Sequence, residues 1–166
     1  SSSVPVRSRP APGGITDSTV KEAEYYFSHG IEDIVYAVGI APVKLDRVVR
    51  LMKKGAKITL LLDSIEQVKC VAATAQQHDL TIPALVEIDC DGHRSGVEPG
   101  DPLLVEIGRL LQSEKGVRLA GVLTHAGQSY ACETLEGIRA LERGGFTAAV
   151  MEAVEAAARR AAEMES

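Results

Sequence analysis

The chain has 166 residues, with 23 Asp and Glu against 18 Lys and Arg, and a formal net charge of −5 at pH 7. This length suits one domain and is too short for a complete eightfold barrel, which usually needs roughly 250 residues. The basic residues are scattered along the sequence, so we expect no nucleic-acid partner, and no apolar run reaches the length of a membrane span.

The positions of the cysteines indicate the cellular compartment, and the composition of the N-terminus indicates where the folded domain begins. Cys70, Cys90 and Cys132 are far apart and form no CxxC pair. This pattern predicts neither a disulfide framework nor a zinc knuckle, and it is typical of a cytoplasmic protein. Residues 1–13 are rich in Ser, Pro and Arg, which indicates a flexible lead-in or a vector-derived remnant. We place the folded domain at 14–166.

Strand and helix patterns alternate along this domain, which is typical of parallel βα units. Helix N-caps are expected at Asp17 or Ser18, at Asp63 or Ser64, and at Asp101. The predicted order is a strand at 15–16, a helix ending at Gly30, a strand at 33–38, a helix from Pro42 to Gly55, a strand at 57–62, a helix after residue 64, a strand at 83–88, a helix at 103–111, a strand at 117–123, and helix from Leu135 onward.

Polar side chains gather where the last two predicted strands end. Residues 85–96 (LVEIDCDGHRSG) and 121–130 (GVLTHAGQSY) each pass from an apolar strand into Asp, His, Arg, Ser and Tyr separated by glycines. The carboxyl ends of parallel strands share one edge of the sheet, and folds of this class do their chemistry there. We therefore predict one site shared by the two segments.

Carboxylates in the first segment need partners. Strand alternation places Glu87 and Asp89 on one side, opposite Ile88 and Cys90. Buried carboxylates require a cation, a histidine or backbone donors, and Arg94 is the natural partner within the loop. Two interpretations stay open, because the pair can be a clamp that only shapes the loop or can have a functional role.

Other polar residues near the predicted site also have two interpretations. His125 and Tyr130 can point into the cleft, or they can only hydrogen-bond and cap the loop. Asp63 can face the cleft or cap a helix. The remaining polar residues lack the spacing of metal ligands, so we expect no metal site among them. They are Cys90, Asp91 and His93.

Three segments resemble the D-threonine aldolase and D-serine dehydratase family, whose fold-type III enzymes are built on the alanine racemase N-terminal domain barrel. The segments are 33–47 (DIVYAVGIAPVKLDR), 87–97 (EIDCDGHRSGV) and 121–130 (GVLTHAGQSY), in the family's order and spacing. The match runs from Gly14 to the last helix. It implies the fold class α/β, as a partial (β/α) TIM barrel that lacks the first strand, the last strands and the C-terminal β domain.

The resemblance also implies a cofactor and roles for three residues. Pyridoxal 5'-phosphate would have Arg94 at its phenolic oxygen, His125 against its pyridine ring and Tyr130 near the cofactor or substrate. A guanidinium keeps the phenolate ionised, while the ring is an electron sink for a carbanion at Cα. The family's lyases act on D-3-hydroxy amino acids and use a divalent metal held by the C-terminal domain. We also expect a homo-oligomer.

The chain departs from the family pattern at the Schiff-base lysine, which the family carries on its first strand. No lysine precedes Gly14, and the phosphate grip that follows the family's last helix is missing as well. We therefore expect a portion of a lyase that is inactive alone. The lysines that are present lie on predicted helices or at strand starts: Lys21, Lys44, Lys53, Lys54, Lys57, Lys69 and Lys115.

Two other functions remain open at this stage. A partial barrel can be a non-catalytic domain that dimerises or binds a partner through its unpaired edges. An open, doubly wound sheet of five strands, with an unrelated ligand at its switch point, also fits the strand count. The last alternative leaves the three motifs unexplained.

Overall fold

The computed structural model describes residues 14–89 and 95–125; the predicted lead-in at 1–13 and the predicted helix after Leu135 lie outside this part. Within the described residues, strands alternate with helices as expected from the sequence. The elements are β1 (Ile15–Asp17), α1 (Val20–Ser28), β2 (Asp33–Tyr36), a 3-10 turn (Pro42–Lys44), α2 (Leu45–Lys53), β3 (Lys57–Leu62), α3 (Ile65–Gln77), β4 (Ile82–Ile88), α4 (Pro102–Ser113) and β5 (Val117–Thr124).

The described strands form one parallel sheet in the order β1-β2-β3-β4-β5. Each crossover therefore moves one strand further in the same direction, and right-handed crossovers place all the helices on one face. A doubly wound sheet instead reverses its direction at a switch point. The strand order confirms the partial (β/α) barrel and shows that the doubly wound hypothesis was wrong.

The core lies between the sheet and the helices. In-register pairing places Tyr36, Leu60 and Ala84 side by side across β2, β3 and β4, and all three are buried. Such a row of apolar side chains gives each helix a surface to cover, since a parallel sheet is stable only when its faces are covered. The helix side chains buried against this face include Val20, Val48, Val68, Val71, Ile107 and Leu111.

The opposite face of the sheet corresponds to the interior of a barrel. Leu61 and Leu85 are paired there, and Glu87 lies on the same face two residues further along β4. Leu61 is buried although it is absent from the cluster that packs under the helices. The sheet therefore has two distinct faces, and Glu87 brings a carboxylate into the inner one.

A β-bulge between β4 and β5 decides which side chains of β5 face inward. Ala84 pairs with Leu119, whereas Leu85 pairs with Gly121, so Ala120 is an extra residue in β5. Gly121 has a φ of +146°, which a glycine tolerates. One added residue exchanges the faces of everything that follows it. Thr124 consequently pairs with Ile88 on the helix side.

The structure corrects one predicted helix cap and confirms two. The N-cap of α1 is Thr19, not Asp17 or Ser18, because Thr19 and Glu22 form a reciprocal capping box. Ser64 rather than Asp63 caps α3, and Asp101 caps α4 as predicted. None of the helices within 14–89 and 95–125 is long and apolar enough to cross a membrane.

Candidate functional site

A cavity of about 280 Å³ lies at the carboxyl ends of the strands. The end of β1, the start of α1, the end of β2 and His125 after β5 all contribute to its wall. The curvature of the sheet thus brings its first and last described strands to one space. The lining residues are Thr16, Asp17, Ser18, Glu22, Tyr26, Ala37, Val38 and His125.

Asp17 is a buried carboxyl in this wall. Its relative exposure is 6%, and no hydrogen-bond donor among the described residues reaches either carboxyl oxygen. Burial is the main cause that raises the pKa of Asp17 to about 6, and the nearby charge of Glu22 adds to it. The ionised form of Asp17 is therefore disfavoured in the fold.

Glu22 is held as a fixed anion at the same wall. Its Oε2 accepts hydrogen bonds from the backbone and hydroxyl of Ser18 and from the backbone of Thr19 at 3.0 to 3.2 Å. These bonds, those from Ser18 first, lower the pKa of Glu22. The capping box of α1 therefore places a negative charge beside Asp17, and this charge repels the ionised form of its carboxyl.

We expect Asp17→Asn to stabilise the protein at neutral pH. The unfolded carboxyl ionises near its ordinary pKa of 3.8 and the folded one only near 6. Between these values the unfolded state binds fewer protons, so the stability of the wild type falls as pH rises. At pH 7.5 the gain in unfolding free energy should be about 1 to 2 kcal/mol, because water in the cavity screens part of the full effect.

Urea unfolding at pH 3 and pH 7.5 checks this expectation. The gain from Asp17→Asn should nearly vanish at pH 3, where the carboxyl is mostly protonated in both states. Asp79→Asn is the matched control, since Asp79 is exposed and lies outside the cavity lining. An equal gain at both pH values would contradict the burial of an ionisable Asp17.

The loop after β4 is fixed at both of its ends. The backbone N–H of Asp89 donates to the carbonyl of Val97 at 3.0 Å, and the N–H of Val97 donates to the carbonyl of Glu87 at 2.9 Å. The side chain of Glu87, 4% exposed, accepts a hydrogen bond from the Ser95 hydroxyl at 3.0 Å. Both ends of the loop are thereby attached to the carboxyl end of β4.

Ser95→Ala should lower the free energy of unfolding by about 1 to 2 kcal/mol, because a buried carboxylate loses a donor. Urea unfolding measures the change. Ser113→Ala is the matched control, since that hydroxyl is exposed and donates only to a carbonyl within its own helix. If both variants lose the same amount, the contact between Ser95 and Glu87 does not hold the loop.

The structure places only one of the three predicted cofactor contacts. His125 lines the cavity and follows Thr124, so alternation turns it toward the inner face. Arg94 and Tyr130 lie outside the described residues, as do Cys90, Asp91 and His93. Asp63 is not in the cavity lining; its backbone N–H donates to the side chain of Gln67 at 2.9 Å.

The burial of Asp17 was not predicted from the sequence, in which this residue was a candidate helix cap. One signal was available, because Thr19 and Glu22 have the capping-box spacing. With Thr19 as the cap, Asp17 becomes the last residue of β1. Its register with Tyr36 then places a carboxyl on the helix-covered face.

Comparison with known proteins identifies the family. The family model described as "Alanine racemase, N-terminal domain" matches residues 11–165. The chain belongs to this family. The predicted resemblance is thereby confirmed, and the five described strands are part of an alanine racemase N-terminal domain barrel.

Three proteins illustrate the relationship within the family. D-threo-3-hydroxyaspartate dehydratase from Delftia sp. (strain HT23) is 46% identical over 148 residues, and its solved structure superposes on this chain with a TM-score of 0.82, covering 90% of this chain and 39% of that one. 3-hydroxy-D-aspartate aldolase from Paracoccus denitrificans (strain Pd 1222) is 31% identical over 144 residues, which cover 86% of this chain and 37% of the aldolase.

A solved structure of D-threonine aldolase from Filomicrobium marinum is 28% identical, with a TM-score of 0.73 over 86% of this chain and 38% of that one. The sequence match to the Delftia dehydratase covers 87% of this chain and 38% of that enzyme. The chain therefore spans less than two fifths of the length of these relatives.

Proposed function

We propose that this chain supplies part of the pyridoxal-phosphate site of a lyase that acts on D-3-hydroxy amino acids. The observation that carries the proposal is the cavity at the carboxyl ends of the strands, with His125 in its wall. The 46% identity to D-threo-3-hydroxyaspartate dehydratase supports it and favours a 3-hydroxyaspartate as substrate. Dehydration is accordingly the reaction that we propose.

The described residues fit the ring of the cofactor. The cavity of about 280 Å³ is at the lower end of the range for small-molecule sites. His125 offers a flat imidazole on its inner wall. The described lining contains no Lys or Arg, so it offers no permanent positive charge to a phosphate. We therefore place the phosphate elsewhere, in agreement with a family pattern that puts this grip after the last helix.

Three residues have proposed roles at the cofactor. Arg94 would hold the phenolic oxygen in its ionised form through a fixed positive charge, and His125 would pack against the ring. Tyr130 would contact the cofactor or the substrate. When bound, the cofactor supplies an electron sink for the carbanion at the substrate Cα. The contacts of Ser95 and Val97 with Glu87 and Asp89 would orient the loop that carries Arg94.

We place the covalent lysine and the metal ligands of the complete enzyme outside this chain. No lysine is among the described residues that line the cavity. No group of three or more His, Cys, Asp or Glu side chains within 14–89 and 95–125 is placed to hold a metal. A variant of a D-threo-3-hydroxyaspartate dehydratase has been solved in a metal-free form, which supports a metal as a second cofactor of the complete enzyme.

A titration with pyridoxal 5'-phosphate, followed by its visible absorbance, tests cofactor binding to the chain alone. We expect saturable binding, and we expect borohydride treatment to leave every lysine of the chain unmodified. Arg94→Ala and His125→Ala should weaken binding. Arg109→Ala and His78→Ala are matched controls outside the cavity. Binding that the four variants weaken equally, or no binding to a folded chain, would reject the proposed site.

A chimaera tests the reaction itself. Residues 14–166 replace the aligned segment of the Delftia dehydratase, which restores the parts that this chain does not span. The chimaera should dehydrate D-threo-3-hydroxyaspartate, and Arg94→Ala within it should reduce the rate by roughly 100-fold or more. A folded chimaera that binds the cofactor and is inactive on D-threo-3-hydroxyaspartate, D-threonine and D-serine would overturn the proposal.

Light scattering of the same sample tests the predicted homo-oligomer.

A further inference from the structure

Asp17 occupies a position that is apolar in the neighbouring strands. The strand register places Asp17 beside Tyr36, Tyr36 beside Leu60, and Leu60 beside Ala84. All four residues lie on the face that the helices cover. A carboxyl thus stands in a row of side chains that build the core. It has no hydrogen-bond donor among the described residues and is 94% buried, as its 6% exposure shows.

Burial of this kind is tolerable for a neutral carboxyl and costly for an ionised one. A buried carboxylate without a partner must form an ion pair or hydrogen bonds, take up a proton, or move out of the core. A partner is not at hand, because the described residues that line the cavity around Asp17 include no Lys or Arg. The remaining choices are protonation and movement.

The groups that face Asp17 give little help to its anion. Glu22 of α1 is itself anionic and repels it, and Tyr26 of α1 lies in the cavity wall. Tyr36 of β2 accepts a hydrogen bond from Lys44 through its hydroxyl at 3.3 Å. His125 lines the same cavity from the end of β5. The other charged side chains of α1 are Lys21, which is exposed, and the half-buried Glu24, which pairs with Arg47 of α2.

Among the described strands, β1 is the shortest, with three residues, and lies at an edge of the sheet. Beyond its register with β2, the carbonyl of Asp17 accepts a hydrogen bond from the N–H of Ala37 at 3.0 Å. Short edge segments with few buried contacts open at low cost. The cavity beside Asp17 offers space and water to a released carboxylate.

We propose that the end of β1 is a proton-controlled latch. With its carboxyl protonated, Asp17 packs under α1 and β1 stays paired with β2. When the proton is lost, segment 16–19 is released toward the cavity whose wall it forms. The cavity therefore has a closed wall in acid and an open, more negative wall in base. This inference does not depend on which molecule occupies the cavity.

Amide hydrogen exchange of the full chain tests the latch. The reporter is the N–H of Ala37, and the reference is the N–H of Ile82, which donates to the carbonyl of Gly116 at 2.9 Å far from the latch. The protection factor of Ala37, corrected for intrinsic exchange, should be constant below about pH 4, where Asp17 is protonated in both the closed and the released form. It should fall as pH rises from about 4 to about 6, the pKa of Asp17 in the closed form, by up to about tenfold per pH unit, and stay constant above pH 6. The protection of Ile82 should not change over this range.

Three variants isolate the responsible proton. Asp17→Asn should keep Ala37 protected throughout, because the amide cannot ionise. Glu22→Gln removes the repelling charge and should lower the pKa of Asp17 in the closed form, so the fall in protection should end at a lower pH, while a glutamine can still complete the capping box. His125→Gln should leave the pH at which the fall ends unchanged. The result for Glu22→Gln decides the question even if Asp17→Asn fails to fold.

Several results would overturn the latch. The first is an Ala37 amide in the wild type that is as well protected at pH 7 as at pH 4. The second is a loss of protection that persists in Asp17→Asn. The third is a fall in protection whose end point moves with His125→Gln and not with Glu22→Gln.

Discussion

Replacing Gly96 with alanine should lower the free energy of unfolding by about 2 to 5 kcal/mol, the sum of backbone strain and steric overlap. Gly96 has a φ of +123°, which side-chain-bearing residues rarely adopt. A Cβ at this position would lie 2.7 Å from the backbone nitrogen of Asp89 and 3.0 Å from the carbonyl carbon of Ile88. Both are backbone atoms of the strand end, so neither moves without disturbing β4.

The same change should also weaken cofactor binding, because Gly96 lies in the loop that carries Arg94 and is joined to Glu87 through Ser95. Gly100→Ala is the matched control in the same connection, since a Cβ at Gly100 would meet nothing within 4 Å. Urea unfolding and a pyridoxal-phosphate titration give the two readouts. Equal stability of the two variants would contradict the described approach of the loop to the strand.

Leu60→Ala should cost about 3 kcal/mol of unfolding free energy, which is within the range for a fully buried leucine. Leu60 has no exposed surface and pairs with Tyr36 on one side and Ala84 on the other. Removal of its side chain leaves a cavity in the middle of the row that α2 and α3 cover. The strands on either side are paired along their length, so they cannot collapse into the space.

Val43→Ala is the matched control for Leu60→Ala. Val43 is 85% exposed, so its truncation should change the unfolding free energy by less than about 0.5 kcal/mol. Urea unfolding at a single pH measures both variants. A loss at Leu60 no larger than the loss at Val43 would mean that the covered face of the sheet is not the core of this domain.

Much of the fold could be predicted because its signals are local. Pro42 begins a helical segment and Gly55 follows it, although the structure splits this segment into a 3-10 turn and α2. β4 and β5 were predicted to within one residue at the ends that the structure describes. Propensity, capping and turn residues act within a few positions, so one sequence contains enough information for them.

The candidate site could be predicted only in part. His125 was identified from its place after an apolar strand, and the structure brings it to the cavity. The partner of Glu87 was expected to be an arginine, a histidine or a backbone donor, whereas the structure shows the hydroxyl of Ser95 donating to it. Several donors in one loop were within reach of that carboxylate, and their distances depend on the loop conformation.

The sequence by itself determined the alternation of strands and helices, the family and the residues at the strand ends, because these follow from local patterns and motifs. The tertiary structure alone decided the strand order, the face of His125 and the burial of Asp17. An extra Ala120 sets the face of His125 by shifting its strand against β4, and Asp17 is buried by its register with Tyr36. Both depend on pairing between segments far apart in the chain, and periodicity within one segment contains no information about the register of another.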